Sequence, residues 1–159
     1  MTKVAPFADA WLRHRLITSD ILDGLTDDHA LEFKPWDGAM SLRELVVHML
    51  VAADMFTSTV QNGSFSRPNP DALPKPTTLA ELRAATHDFT NRTKDQLASI
   101  SDETYDKMID TTQVFGQPLP AHALLGIMKD HEIHHKGQLF VYGRMLGMEK
   151  MPPIVRRTI

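Results

Sequence analysis

The chain has no cysteine. That absence removes disulfides, thiolate zinc sites, iron–sulfur clusters and a cysteine nucleophile together, so any transition metal must be held by imidazole and carboxylate. Long apolar runs are missing too. No stretch approaches the roughly 20 residues of a membrane span, and the opening Met-Thr-Lys-Val-Ala-Pro lacks the apolar heart of a secretory leader. The expectation is a soluble, cytoplasmic protein with no membrane partner. Charge of one sign is equally scarce. Seventeen Lys and Arg stand against twenty Asp and Glu, they are interspersed, and Arg156-Arg157 is the single basic doublet. Without a basic face there is no electrostatic footprint for nucleic acid. Internal repeats and low-complexity segments are absent as well. What remains is 159 residues, enough for one domain over 1–159 with a core of its own.

Helical periodicity organises that length. A first helix is expected over about 6–25, with Phe7, Trp11, Ile21, Leu22 and Leu25 as its apolar stripe and Asp23-Gly24 as a stop. Ser41-Leu42-Arg43-Glu44 is a capping box and opens a second helix, whose buried stripe is Leu42, Leu45, Val46, Met49, Ala52, Ala53, Phe56 and Val60. Four prolines between 62 and 77 exclude helix or inner strand there and leave a long loop, either a functional cover or a plain linker.

Thr78-Leu79-Ala80-Glu81 is a second capping box and starts a third helix with Leu79, Leu82, Thr86, Phe89, Thr93, Leu97 and Ile100 inward. Ser101-Asp102-Glu103 opens one short turn, and Thr111 to Phe115 before Gly116 carries a weak strand or hairpin signal within 108–119. Pro120 suits the first turn of a fourth helix that runs to about Leu146, with Gly147 beyond it. Four amphipathic helices predict an all-α antiparallel four-helix bundle, with a proline-rich loop and a short hairpin before the last helix. In such bundles metal sites are built from facing side chains.

The fourth helix carries the chemistry. At about 100° per residue, Leu124, Met128, Leu139, Tyr142 and Leu146 line one face, and His131 and His135 fall within it. Two imidazoles one turn apart on a core-facing stripe form a chelating pair. His134 is either the true partner of His131 or a hydrogen-bonding neighbour that orients a ligand, and the wheel favours His131 with His135. A third donor is needed from elsewhere. His48, at the margin of the second helix's stripe, is best placed, and His14 on the first helix is second. Three neutral imidazoles leave an open coordination position, the pattern of catalytic rather than structural zinc.

His131-Glu132-x-x-His135 also matches the zinc-peptidase pattern with Glu132 as base. The metzincin continuation, however, needs Gly at 138 and His at 141, where the chain has Gln138 and Val141. Glu132 therefore reads as a flank residue supporting the site, as does Gln138.

His-x-x-His-His-Lys-Gly-Gln over 131–138, preceded by a His in a Ser-capped second helix (Ser41…His48), resembles the DinB/YfiT-like family, the damage-inducible bundle proteins rather than the polymerase that shares the name. Arg144-Met145-Leu146-Gly147 followed by Pro152-Pro153 resembles its C-terminal pattern, and Lys136 stands where the family commonly has Arg. The resemblance implies a four-helix bundle, commonly a homodimer. It also implies a divalent ion such as nickel or zinc on three histidines, by position His48, His131 and His135. Family relatives include transferases and isomerases that use bacillithiol, mycothiol or similar low-molecular-weight thiols. The resemblance thus points to a metal-dependent enzyme acting on a small molecule, with a thiol S-transferase as its sharpest form. The alternative is a non-catalytic bundle whose His cluster only fixes helix register.

Overall fold

A computed structural model of the chain describes residues 1–159. Four long helices account for most of it, and each begins where local chemistry permits. Helix α1 (Ala5–Asp23) carries Pro6 in its first turn, where no N–H partner is lost. It ends at Asp23, two residues before the expected end, with Gly24 as its C-cap. Helix α2 (Leu42–Asn62) starts on a complete capping box. The Ser41 hydroxyl accepts from the Glu44 N–H at 3.2 Å, and the Glu44 carboxylate accepts from the Ser41 N–H at 2.7 Å. Gly63, at φ +72°, closes α2 in the left-handed region.

Helix α3 (Leu79–Ala98) forms only half of its box. Thr78 accepts from the Glu81 N–H at 3.1 Å, but the Glu81 carboxylate turns to the N–H and hydroxyl of Thr77. Two short helices follow, α4 (Asp102–Asp106), capped by Ser101, and α5 (Thr112–Phe115). The longest helix, α6 (Ala121–Met145), has Pro120 as its N-cap rather than inside its first turn.

The expected hairpin shrinks to one pairing. Met108–Ile109 (β1) and Leu119–Pro120 (β2) pair antiparallel, with Ile109 opposite Leu119. Thr112–Phe115, within the stretch that carries the strand or hairpin signal, is instead the helical turn α5. Asp110 accepts from the Thr112 N–H at 3.1 Å, and the Thr111 carbonyl accepts from the N–H groups of Val114 and Phe115. Local bonds to a short polar side chain and its neighbour outweigh the β preference of Val114 and Phe115.

The long helices pack in a ring: α1 against α3 and α6, and α2 against the same two. Helices α1 and α2 therefore lie across the core from each other. Trp11, Ile17, Ile21, Leu42, Leu45, Met49, Leu82, Leu97, Leu124 and Leu139 are buried between them. Fully burying a side chain of this size contributes about 1.5–3 kcal/mol. A helix cap contributes about 1, so the stripes hold the ring and the caps set where each helix begins. The tail after α6 folds back along the outside. Arg156 pairs with Asp20, Arg13 donates to the Arg157 carbonyl at 2.8 Å, and Lys136 donates to the Ile154 carbonyl. None of these helices is long and apolar enough to cross a membrane.

Candidate metal centre

The α2–α6 seam brings three imidazoles together. His48 stands two turns into α2 from the Ser41 cap, and His131 and His135 stand one turn apart on α6. The Nε2 atoms of His48 and His131 are 2.9 Å apart, those of His131 and His135 are 3.1 Å apart, and the three donor atoms all lie within 4.8 Å of one another. His135 is buried, His131 half-buried, and His48 sits at the exposed rim.

Hydrogen bonding alone does not account for this cluster. Gln138 Oε1 lies 2.7 Å from His135 Nδ1. A carbonyl oxygen only accepts, so the His135 proton is on Nδ1 and its Nε2 presents a bare lone pair. His131 Nε2 then faces two other Nε2 atoms and carries at most one proton, which serves only one contact with good geometry. The three nitrogens are a group that could hold a cation. An ion bound about 2.0–2.1 Å from each nitrogen separates adjacent donors by about 2.9 Å at a right angle and about 3.3 Å at the tetrahedral angle. The His48–His131 and His131–His135 separations fall in that span. The 4.8 Å that bounds the whole set is wider than the roughly 4.1 Å two such bonds can bridge, so His48 and His135 would close in on an ion.

The electrostatics agree. Burial, then the neighbouring His135 and His48 rings, push His131 down to about 4. Partial desolvation, then His135, lowers His48 as well. Rings with depressed pKa values are neutral at pH 7 and offer lone pairs.

The remaining sequence candidates separate. His134 is exposed, its ring edge-on to His135 and its Nε2 3.5 Å from the Gln138 amide nitrogen, outside the three-nitrogen cluster. Gln138 is the residue that orients His135. His14 does not join the cluster. Its Nδ1 accepts from Lys136 Nζ at 2.8 Å, and burial, then the Lys136 charge, hold it below its ordinary value.

Glu132 was expected on the flank of the site. Instead it is fully buried against α1, where Arg15 Nε donates to Oε1 at 2.8 Å and Arg15 Nη2 to Oε2 at 2.6 Å. Thr18 adds a longer contact to Oε1, and Arg15 Nη2 also reaches the Met49 carbonyl. With both oxygens engaged by a buried guanidinium, Glu132 is a poor general base, which removes the peptidase reading.

Arg15 and the burial of Lys136 escaped the sequence reading. One signal was available for each: Arg15 falls four residues after Trp11 on the α1 stripe, and Lys136 four after Glu132 on α6.

The DinB family's sequence model matches residues 1–158. The chain belongs to the DinB family. Among DinB relatives, the uncharacterized protein YjoA of Bacillus subtilis (strain 168) is 34% identical over 142 residues, spanning 89% of this chain and 90% of YjoA. The crystal structure of that DinB-like protein superposes with a TM-score of 0.82 at 30% identity, covering 96% of this chain and 99% of YjoA's. A DinB-like protein from Bacillus cereus ATCC 10987 shares the fold, with a TM-score of 0.73 at 24% identity over 90% of this chain and 91% of its own. The resemblance carried by residues 131–138 thus extends to the whole chain. The predominantly helical DinB fold is common to all three.

Proposed function

We propose that this DinB-family protein binds one divalent transition metal, nickel or zinc, through His48, His131 and His135, and that it is an enzyme acting on a small molecule. The observation that carries this reading is the convergence of three Nε2 atoms, with the His135 tautomer set by Gln138 so that its lone pair points inward. Three neutral donors without a protein carboxylate suit a catalytic ion with a free coordination position. Such an ion supplies Lewis acidity toward a water or thiol.

The chain's own residues do the rest. Gln138 holds the His135 ring, exposed His48 leaves the rim open to a small substrate, and the Arg15–Glu132 pair ties α6 to α1 beneath the cluster. In its sharpest form the reaction is transfer to or from the sulfur of a low-molecular-weight thiol such as bacillithiol. The same proposal places the protein in the cytoplasm, as one antiparallel four-helix-bundle domain over 1–159 acting as a homodimer.

A purely structural His cluster is the rival. It loses ground because a structural ion usually recruits a fourth protein ligand, most often Cys, of which the chain has none. Elemental analysis with thiol-transfer assays decides. The proposal expects stoichiometric nickel or zinc, with metal and activity lost together in His135→Ala. A metal that stabilises the fold while no small thiol perturbs the spectrum of the cobalt-substituted protein favours the rival.

A further inference from the structure

Helix α6 contains three interior glycines, although glycine is the costliest residue in a helix interior after proline. Gly143 has a reason within the chain, since a Cβ there would meet Met148 and Met151 at 3.0 Å. Gly126 and Gly137 have none: a Cβ on either would meet nothing within 4 Å. Both lie on the outward face, in the stripe Gly126, Asp130, Ile133, Gly137, Val141, Arg144.

Either side of Gly137 that stripe is apolar where a solvated helix face would be polar, and it is charged at Asp130 and Arg144 beyond. Ile133 and Val141 are 37% and 49% exposed, one turn to either side of Gly137. Ile154 is 74% exposed and is moored one turn from Ile133 through its carbonyl on Lys136. Asp130 and Arg144 are exposed and make no ion pair within the chain, although Arg144 lies over the Phe140 ring.

The order of these residues is a palindrome about Gly137. Ile133 and Val141 lie four residues before and after it, and Asp130 and Arg144 lie seven before and after. A two-fold axis at Gly137, with two α6 helices antiparallel, sets Ile133 of one copy on Val141 of the other. It also sets Asp130 of one copy on Arg144 of the other, twice over. Glycine at the axis lets the backbones approach, and self-complementarity of this kind is what a closed two-fold interface requires.

We infer that the outward face of α6 centred on Gly137 is the surface on which a second copy of this chain docks. The inference rests on the homodimer part of the proposed function and is independent of the metal. His131 and His135 lie about 120° and 160° around the helix from Gly137, so pairing leaves the imidazole cluster facing α2.

The absence of cysteine makes the test clean. In Gly137→Cys the two introduced thiols meet at the axis, so mild oxidation yields a covalent dimer, whereas Asn91→Cys on α3 yields none. Asp130→Arg opposes two arginines twice per dimer and should weaken association by about tenfold or more in sedimentation. The exchange Asp130→Arg with Arg144→Asp restores both pairs and the association with them. A protein that is monomeric at micromolar concentration overturns the inference. So does a dimer that neither crosslinks at 137 nor responds to the charge reversal. Metal content read on the same samples should be unchanged in Asp130→Arg, which separates failure of this interface from failure of the metal reading.

Discussion

Gln138 accepts a hydrogen bond from His135 Nδ1 across 2.7 Å, from a position one helical turn further along α6. This contact fixes which nitrogen of His135 faces His131 and His48. Outer partners of this kind commonly account for 10–100-fold in metal affinity. Gln138→Leu should therefore weaken binding by about that factor in a chelator competition, with the fold intact. Gln138→Glu keeps an acceptor in place and should bind at least as tightly as the parent. Equal affinities in all three proteins would contradict the assigned tautomer.

Arg15 and Glu132 predict a stability effect of a different kind. Both are fully buried, so removing one leaves the other as an uncompensated interior charge. Glu132→Ala should destabilise by about 3–5 kcal/mol in urea unfolding, whereas Arg15→Met combined with Glu132→Leu should recover much of that loss. A loss below about 1 kcal/mol in the single variant would mean that the pair is solvated.

The depressed pKa of His131 sets a pH window for the metal-free protein. The folded ring titrates at about 4 and the unfolded ring at its ordinary 6.5. Between those values the unfolded chain binds more protons, so stability falls as pH drops from 6.5 towards 4 and is level for this group above 6.5. Melting temperatures of the metal-free protein across pH 4–8 should show that slope. His131→Asn should flatten it, and saturating metal should raise the melting temperature most near neutral pH.

Lys136 offers a fourth check. Its ammonium joins His14 Nδ1 and the Ile154 carbonyl, and it thereby ties the tail to α6 and α1. Lys136→Met should leave metal stoichiometry unchanged while hydrogen exchange near residues 151–157 accelerates. Loss of metal in that variant would place Lys136 in the centre, contrary to the geometry.

What could be read from the sequence follows the range of each interaction. The starts of α2 and α3 were legible because Ser41 with Glu44 and Thr78 with Glu81 act within one turn. The His131 and His135 pair was legible for the same reason, and Gln138 lies only three residues beyond. His48 rested on the resemblance as much as on its place at the stripe margin, because it meets His131 across 83 residues. Arg15 and Glu132 are 117 residues apart, and nothing local to either announces the other. The strand or hairpin signal over Thr111 to Phe115 yields paired strands only at 108–109 and 119–120, for the opposite reason: Asp110 and the Thr111 carbonyl bond at a range shorter than the β pattern and turn 112–115 into helix.

The most direct test of the metal centre is elemental analysis of the purified protein beside His48→Ala, His131→Ala and His135→Ala. The proposal predicts about one divalent ion, nickel or zinc, per chain in the parent, lost in each variant with the helical signal retained. A metal-free parent that takes up no ion on titration would contradict it, as would an ion retained undiminished when His131 is removed.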